Sequence, residues 1–274
     1  MNTVFVSTYR RPYVTRLCLE ALARAHRWCA WADRIFVCIA PHGNPTVRAE
    51  SESVLHRNPD IPFVIATEPR PMNPHEVSKW MLDFGFDIGC EAVLYVEDDA
   101  ILAPDAFMML EFASRERHDQ TACVCLYHET ILEHYPGSKP DPRLLHYGNG
   151  INTLGGTAFF RDWYQKVLGP NWNSKEVEPR GFDYSCHYLM YVHQLYAVWP
   201  DLSRSVNLGF ELGNSTLAFW QQYCGRSQWT QTNQAVRNWR DFVLDEPLPP
   251  PVCEKWMLPE LQHRGLLYTE KRGL

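Results

Sequence analysis

The chain has 274 residues, enough for one large α/β domain or two small ones, and with 45% hydrophobic residues and ten tryptophans it can bury a core that excludes disorder. A formal charge of −6 argues against a general nucleic-acid or anionic-membrane surface, although a local basic patch remains open. Nine cysteines without a Cys-x-x-Cys pair, no signal peptide ahead of Thr3–Val6 and no bilayer-length apolar run lead us to expect a soluble, cytoplasmic protein with no membrane span.

Val4–Ser7 reads as a first buried strand, followed by a turn into a helix with Pro12 in its first turn. Val14, Leu17, Cys18, Ala21, Leu22 and Ala25 recur at helical spacing. Arg34–Ile39 is a second strand, closed by Ala40–Asn44; Val47–His56 is a helix and Pro62–Thr67 a third strand. Glu68–Pro74 reads as a loop, and the next helix carries Val77, Trp80, Met81, Phe84 and Ile88 on one face. The fourth strand runs through Val93–Val96 into Glu97-Asp98-Asp99, after which apolar residues resume. Ala106–Arg115 is helical and Ala122–Leu126 a fifth strand. Such alternation predicts an α/β fold, a mostly parallel central sheet with helices on both faces.

The second half changes character. Tyr127–Tyr147 is rich in Pro and His and reads as a long loop. Leu154-Gly155-Gly156 precedes an apolar strand and a helix over Asp162–Leu168. A further helix runs from Gly181-Phe182-Asp183-Tyr184 through Val192, then a short strand, Tyr196–Trp199, leads into Pro200–Ser205. Beyond Asp245 a Pro-rich tail reads as a wrapping arm. The expected division is 1–126 for a donor-type half, 127–245 for an acceptor-type half of the same domain, and 246–274 for a C-terminal arm.

Three adjoining carboxylates at the end of a buried strand are costly to hold unless a cation offsets their repulsion. Oxygen ligands of this kind suit Mg²⁺ or Mn²⁺ shared with substrate phosphates, and in open α/β sheets ligands bind at the carboxyl ends of strands. The alternative is a solvated acidic turn before the helix that starts near Pro104. The glycine fingerprint of dinucleotide enzymes, the Walker loop, the hydrolase nucleophile elbow and zinc-type histidine spacing are all absent.

An acid-tipped fourth strand without a glycine loop resembles the GT-A glycosyltransferases. Over residues 3–224 the order of motifs resembles the N-acetylglucosaminyltransferase I family, which is inverting. The matching residues are Arg10 after the first strand, Glu97-Asp98-Asp99, Leu154-Gly155-Gly156, Phe182-Asp183, Pro200–Ser205 and Gly209–Gly213. The family's Trp-Asp-Asp is here Phe182-Asp183-Tyr184, and its uracil-reading second-strand Asp is replaced around Ala40-Pro41-His42.

The resemblance implies a hexosyl- or N-acetylhexosaminyl-transferase using a nucleotide-sugar donor, a UDP-sugar by family expectation, with Mn²⁺ (or Mg²⁺) held by Asp99. Ser7, Thr8, Arg10, Glu97, Asp98, Gly155, Gly156, Ser203 and Glu211 would line the donor. Asp183 is the candidate base for the acceptor hydroxyl, its bland reading being a helix N-cap. Arg204 would assist the leaving diphosphate or form a structural salt bridge. Glu211, between Gly209 and Gly213, would belong to a lid or to an ordinary turn. Lys79 would reach phosphate or sit on a solvated helix face. The acceptor would be a glycan or small glycoside met by Trp163, Trp172, Tyr184 and Tyr188. The alternative is a hydroxymethylated DNA base, with Arg226, Arg237, Arg240, Arg264, Lys271 and Arg272 as a basic track. A sugar nucleotidyltransferase and an inactive nucleotide-sugar-binding protein are the other rivals.

Overall fold

The computed structural model describes residues 1–128, 139–148, 150–151, 155–171, 181–209, 230–231 and 234–245, with the backbone alone at 75 and 181–185. The first strands are β1 (Asn2–Thr8), β2 (Arg34–Ile39), β3 (Phe63–Thr67) and β4 (Ala92–Glu97). Later ones are β5 (Ala100–Leu102), β6 (Thr121–Cys125), β7 (Leu144–Gly148), β8 (Thr157–Phe160), β9 (Tyr196–Pro200), β10 (Ser205–Asn207) and β11 (Val243–Leu244). Among the described residues nine of them form one sheet, ordered β11-β7-β9-β6-β8-β4-β1-β2-β3, while β5 and β10 pair apart.

β1 runs parallel to both β2 and β4, with Val4 opposite Ile35 and Leu94, and β2 runs parallel to β3. β8 is inserted antiparallel between β4 and β6, and β7 is antiparallel to β9. The sheet is mostly parallel, and β4 reads as an unbroken apolar run because both its faces are covered.

Two helices, α1 (Pro12–Trp28) and α4 (Ala106–Glu116), cover one face. Leu19, Leu22, Phe107 and Met109 pack there against Val37 and Leu94. On the other face α3 (Pro74–Asp87) sets Met81 and Phe86 among Phe5, Phe36, Val93 and Tyr95. Helix α2 (Pro45–Arg57) lies beside α1. Asn73 and Glu76 close a reciprocal capping box at the start of α3, both bonds 3.0 Å.

Some expectations need correction. The buried stripe of α3 is Val77, Met81, Leu82 and Phe86, whereas Phe84 and Ile88 are 38% and 36% exposed. The helix approaches the sheet at Gly85, where a Cβ would stand 2.6 Å from Val93, and this close seat turns Leu82 and Phe86 inward. Leu144–Gly148 is strand β7 rather than loop, with Leu145 and Tyr147 buried in alternation. The helix after β8 begins at Arg161, as α5 (Arg161–Trp163), and passes through a π-helical turn, Tyr164–Leu168, into α6 (Gly169–Asn171). Helix α7 (Gly181–Val192) buries Cys186, Leu189 and Met190 in the second core. No helix of the described residues is long and apolar enough to cross a membrane.

Candidate active site

β4 ends at Glu97, opposite Ser7 of β1, and the chain turns sharply through Asp98 and Asp99. It leaves as β5, clamped antiparallel to β10 with Ala100 opposite Asn207. The turn is therefore gripped on both sides, and Asp98 and Asp99 are only 2% and 4% exposed. The Arg11 guanidinium bridges them, at 2.6 Å to Asp98 Oδ1 and 2.5 Å to Asp99 Oδ2. Asp98 Oδ2 accepts from the Thr15 hydroxyl at 3.0 Å and the Tyr9 amide at 3.3 Å. Asp99 Oδ1 accepts from the Asn207 amide group at 3.0 Å, and its carbonyl accepts from the Leu208 amide at 2.8 Å. The Gly209 amide donates to Asn207 Oδ1 at 2.7 Å.

Glu97 is partly exposed, and its Oε1 accepts from the Tyr95 hydroxyl at 3.3 Å. The Ser7 hydroxyl lies 3.4 Å from that same Tyr95 hydroxyl, which joins the ends of β1 and β4. Burial, reinforced by the charge on Asp99, raises the Glu97 carboxyl to about 8. Burial also raises Asp98 and Asp99, with Arg11 opposing the shift in each. Burial works against the Arg11 charge, yet Asp99 and Asp98 together raise its pKa.

The sequence assigned Arg10 to the nucleotide; the residue on the acids is its neighbour Arg11. Arg10 is exposed, with its guanidinium 4.4 Å from the Tyr9 ring centre, and it lines an open cleft with His42, Gly43 and Asn44. The available signal for Arg11 was its place immediately before the first-turn Pro12, which fixes its direction at the start of α1.

The remaining predicted residues divide between the site and the interior. Thr8 is buried and donates to the Cys38 carbonyl at 2.9 Å. Gly155 and Gly156 are buried at the start of β8, and Gly156 has φ +102° beside the Tyr95 carbonyl, a conformation that favours glycine. Ser203 is buried, its hydroxyl donating to the Ser205 carbonyl at 2.7 Å. Arg204 is fully buried. Its guanidinium meets Asp105 at 3.1 Å and donates to the carbonyls of Leu202 and Pro142, so it lies in the core rather than beside a leaving group. Burial lowers its pKa and Asp105 raises it back in part. Lys79 pairs with Asp83 one turn along α3.

Asp183 belongs to the first turn of α7; its side chain lies outside the described residues, as do Glu211 and Trp172. The side chain of Tyr184 is likewise outside them, with Arg226, Arg264, Lys271, Arg272 and the whole 246–274 arm. Trp163 donates to the Asp119 carbonyl just before β6, at the opposite edge of the sheet from the acids, and Tyr188 is a core residue. Arg237 and Arg240 lie over the rings of Trp28 and Trp239.

No protein-family model and no curated protein matches this sequence. In three dimensions it is similar to the mannosyltransferase PcManGT of Pyrobaculum calidifontis in complex with GDP-Man and Mn²⁺. That likeness has a TM-score of 0.55 and 13% identity, over 77% of this chain and 58% of the other. It is also similar to residues 1–349 of S. aureus TarS in complex with UDP, with a TM-score of 0.52 and 11% identity over 74% and 59% of the two chains. The fold is GT-A. This chain spans under two thirds of either neighbour's length, and identities this low speak for the fold alone.

Within the GT-A fold the acid-tipped strand is β4, and its donor set can be tested against a divalent cation. Every side chain there offers hard oxygen, which suits Mn²⁺ or Mg²⁺. Asp98 and Asp99 share one guanidinium, Arg11, their only ion partner among the described residues, and Glu97 has no ion pair there. The charge balance and the donor chemistry therefore fit a cation. Among the described residues no three acidic, His or Cys side chains converge as a closed metal cage. Mg²⁺-type ions held by one or two carboxylates plus substrate phosphates need no such cage.

Proposed function

We propose that this chain is a metal-dependent inverting glycosyltransferase that moves a sugar from a nucleotide-sugar to a hydroxyl acceptor, a glycan or small glycoside. The Glu97-Asp98-Asp99 turn at the carboxyl end of β4, with Asp98 and Asp99 buried and sharing one guanidinium, carries the reading. The two structural neighbours were seen with GDP-Man and Mn²⁺ and with UDP, which supports a nucleoside-diphosphate donor here. The motif resemblance to the N-acetylglucosaminyltransferase I family supports inversion.

Asp99 would hold the cation, which when bound would offset charge building on the departing diphosphate. Asp98, tied to Thr15 and the Tyr9 amide, keeps the turn rigid. Glu97, on the Ser7–Tyr95 chain, faces the donor's ribose or sugar. Asp183 accepts the acceptor hydroxyl's proton as the new bond forms, and a single displacement with one base inverts the anomeric centre. The DNA reading draws no support from Arg237 and Arg240, which rest on tryptophans.

The test is sugar transfer with Mn²⁺ and with EDTA. EDTA and Asp99→Ala should each abolish donor binding by calorimetry. Asp183→Asn should lower kcat by roughly 10²–10⁴ while donor affinity holds. Donor binding indifferent to EDTA, or a product of retained anomeric configuration by NMR, would refute the proposal.

A further inference from the structure

β3 is an outer strand of the sheet, and among the described residues no strand pairs with its free edge. The bonds at its two ends fix which residues face outward. The Ile35 amide donates to the Pro62 carbonyl, and the Glu68 amide donates to the Ile39 carbonyl. Pro62, Val64, Ala66 and Glu68 therefore turn their backbone groups to β2, and Phe63, Ile65 and Thr67 turn theirs away from the sheet. The Phe63 amide is satisfied locally by the Ile61 carbonyl at 2.7 Å, whereas the amides of Ile65 and Thr67 have no backbone partner among the described residues. Native sheets guard a free edge with charge, proline or shortness. The other outer strand, β11, has only two residues, but β3 reads Phe-Val-Ile-Ala-Thr and carries no charge and no proline.

Beside this edge an apolar strip continues onto α3. Val64 is 40% exposed and stands next to Phe36 of β2, whose ring meets that of Phe84 at 5.8 Å. Trp80 stacks on Phe84 at 6.2 Å, and Ile88 is exposed one turn further along the helix. Helical spacing promised a buried face for these α3 residues, and a single chain leaves part of it in water. Contiguous exposed apolar surface marks an interaction site. Opposite charges flank the strand. Asp60 stands before it, paired with Arg27 at 2.9 Å, and Arg70 after it, paired with Glu76 at 2.8 Å; the Asp60 and Arg70 side chains are 55% and 60% exposed.

We propose that a second copy of this chain pairs with β3 edge to edge, antiparallel about a two-fold axis through Ile65, so that one continuous sheet runs through a homodimer. The inference stands apart from the transferase reading. In this register the two Ile65 residues exchange amide–carbonyl bonds, and each Thr67 amide meets the Phe63 carbonyl of the second copy. A two-fold axis normal to the sheet keeps both α3 helices on one side of it. Val64 then lies beside the second copy's Ala66, and the two apolar strips cover each other. Antiparallel pairing also lays the start of each strand beside the end of the other, so Asp60 of each copy approaches Arg70 of the other. A parallel arrangement sets like charge against like and does not close as a dimer, so the charges select the two-fold partner. An edge of five residues is about 17 Å long. The contact therefore falls at the small end of stable interfaces, near about 1,200 Å² in total, and the dimer is a reversible one.

The experiment is sedimentation velocity of the full chain from about 1 to 200 µM, on the parent, Val64→Lys, Asp60→Arg, Arg70→Glu and the double variant Asp60→Arg with Arg70→Glu. The parent should pass from monomer to dimer with a Kd in the micromolar range. Val64→Lys places a charge on an exposed edge position and should stay monomeric throughout, with its Tm within a few degrees of the parent's. Each single charge reversal should weaken the dimer roughly three- to tenfold, and the double variant should return to within a few-fold of the parent. A merely structural role of either residue would not produce that recovery. A parent that is monomeric at every concentration, a Val64→Lys protein that dimerises like the parent, or a double variant no stronger than the single ones would overturn the proposal. Should Val64→Lys fail to fold, the charge series decides alone.

Discussion

Replacing Glu68 by Gln exchanges a carboxyl for a neutral amide of nearly the same shape, and the consequence lies in how stability depends on pH. In the unfolded chain this carboxyl titrates near 4.5, and in the folded chain burial moves it to about 7. Below pH 4.5 both states hold the proton, so the group contributes nothing. Between about 4.5 and 7 the unfolded chain has released its proton while the folded chain keeps it, so stability falls as pH rises. Above 7 the folded chain carries a buried carboxylate and the loss is complete. A pKa change of one is worth about 1.4 kcal/mol, which puts the full effect near 3 kcal/mol and, with some solvent access at a sheet edge, at about 2–3 kcal/mol. The assay is urea unfolding of both proteins without nucleotide at pH 4 and pH 8. Relative to the parent, Glu68→Gln should gain about 2–3 kcal/mol on going from pH 4 to pH 8, with the gain falling between 4.5 and 7. Its own buried amide lowers both points alike, so only the difference matters. A difference that stays flat across pH would refute the reasoning.

Arg204→Met leaves Asp105 buried without its cation and should cost about 3–5 kcal/mol in urea unfolding, whereas Arg204→Met with Asp105→Leu should recover much of that loss. A single-variant loss under about 1 kcal/mol would mean the pair is as weak as an exposed one. Arg11→Met strips the one guanidinium from Asp98 and Asp99 and should also cost roughly 3–5 kcal/mol. Millimolar Mn²⁺ should raise the Tm of Arg11→Met by more than it raises that of the parent, since the ion replaces the missing charge. Equal shifts would show that Arg11 and the ion do not answer the same carboxylates.

What the sequence made legible follows from locality. β2 spans Arg34–Ile39 as expected, and α1 declares itself because its apolar residues recur at helical spacing. The acidic turn was visible because burial on both faces makes β4 continuously apolar, so the first charge marks its end. Arg10 and Arg11 are adjacent, and only the direction in which α1 leaves β1 decides which one meets the acids. Glu68 reads as the start of a loop because a charged residue beside Pro69 suggests solvent, and its burial comes from distant segments. Pro200–Ser205 resembles a functional string, yet such residues serve equally to satisfy polar groups in a core, as Ser203 does with the Ser205 carbonyl and Arg204 with Asp105. The partners of β8 were hidden because a strand's own residues do not state which two strands it separates.

The grip on Asp99 also sets an order of events during synthesis. Arg11 precedes this residue by 88 positions and has left the ribosome before it. Asn207 follows it by 108 positions. At about 5–20 residues per second, roughly 5–20 s separate the emergence of Asp99 from that of Asn207. During that interval β1, β2, β3 and β4 can pair as a parallel unit, while β4 lacks β8 for about the first half of it and β5 lacks β10 throughout. The acidic turn therefore spends its first seconds open to water on the side later closed by β10, with Arg11 as its early counter-charge. Desolvation of its carboxylates waits for the second half of the chain, so the nascent intermediate is spared this charge burial until many of its apolar contacts are available to offset it.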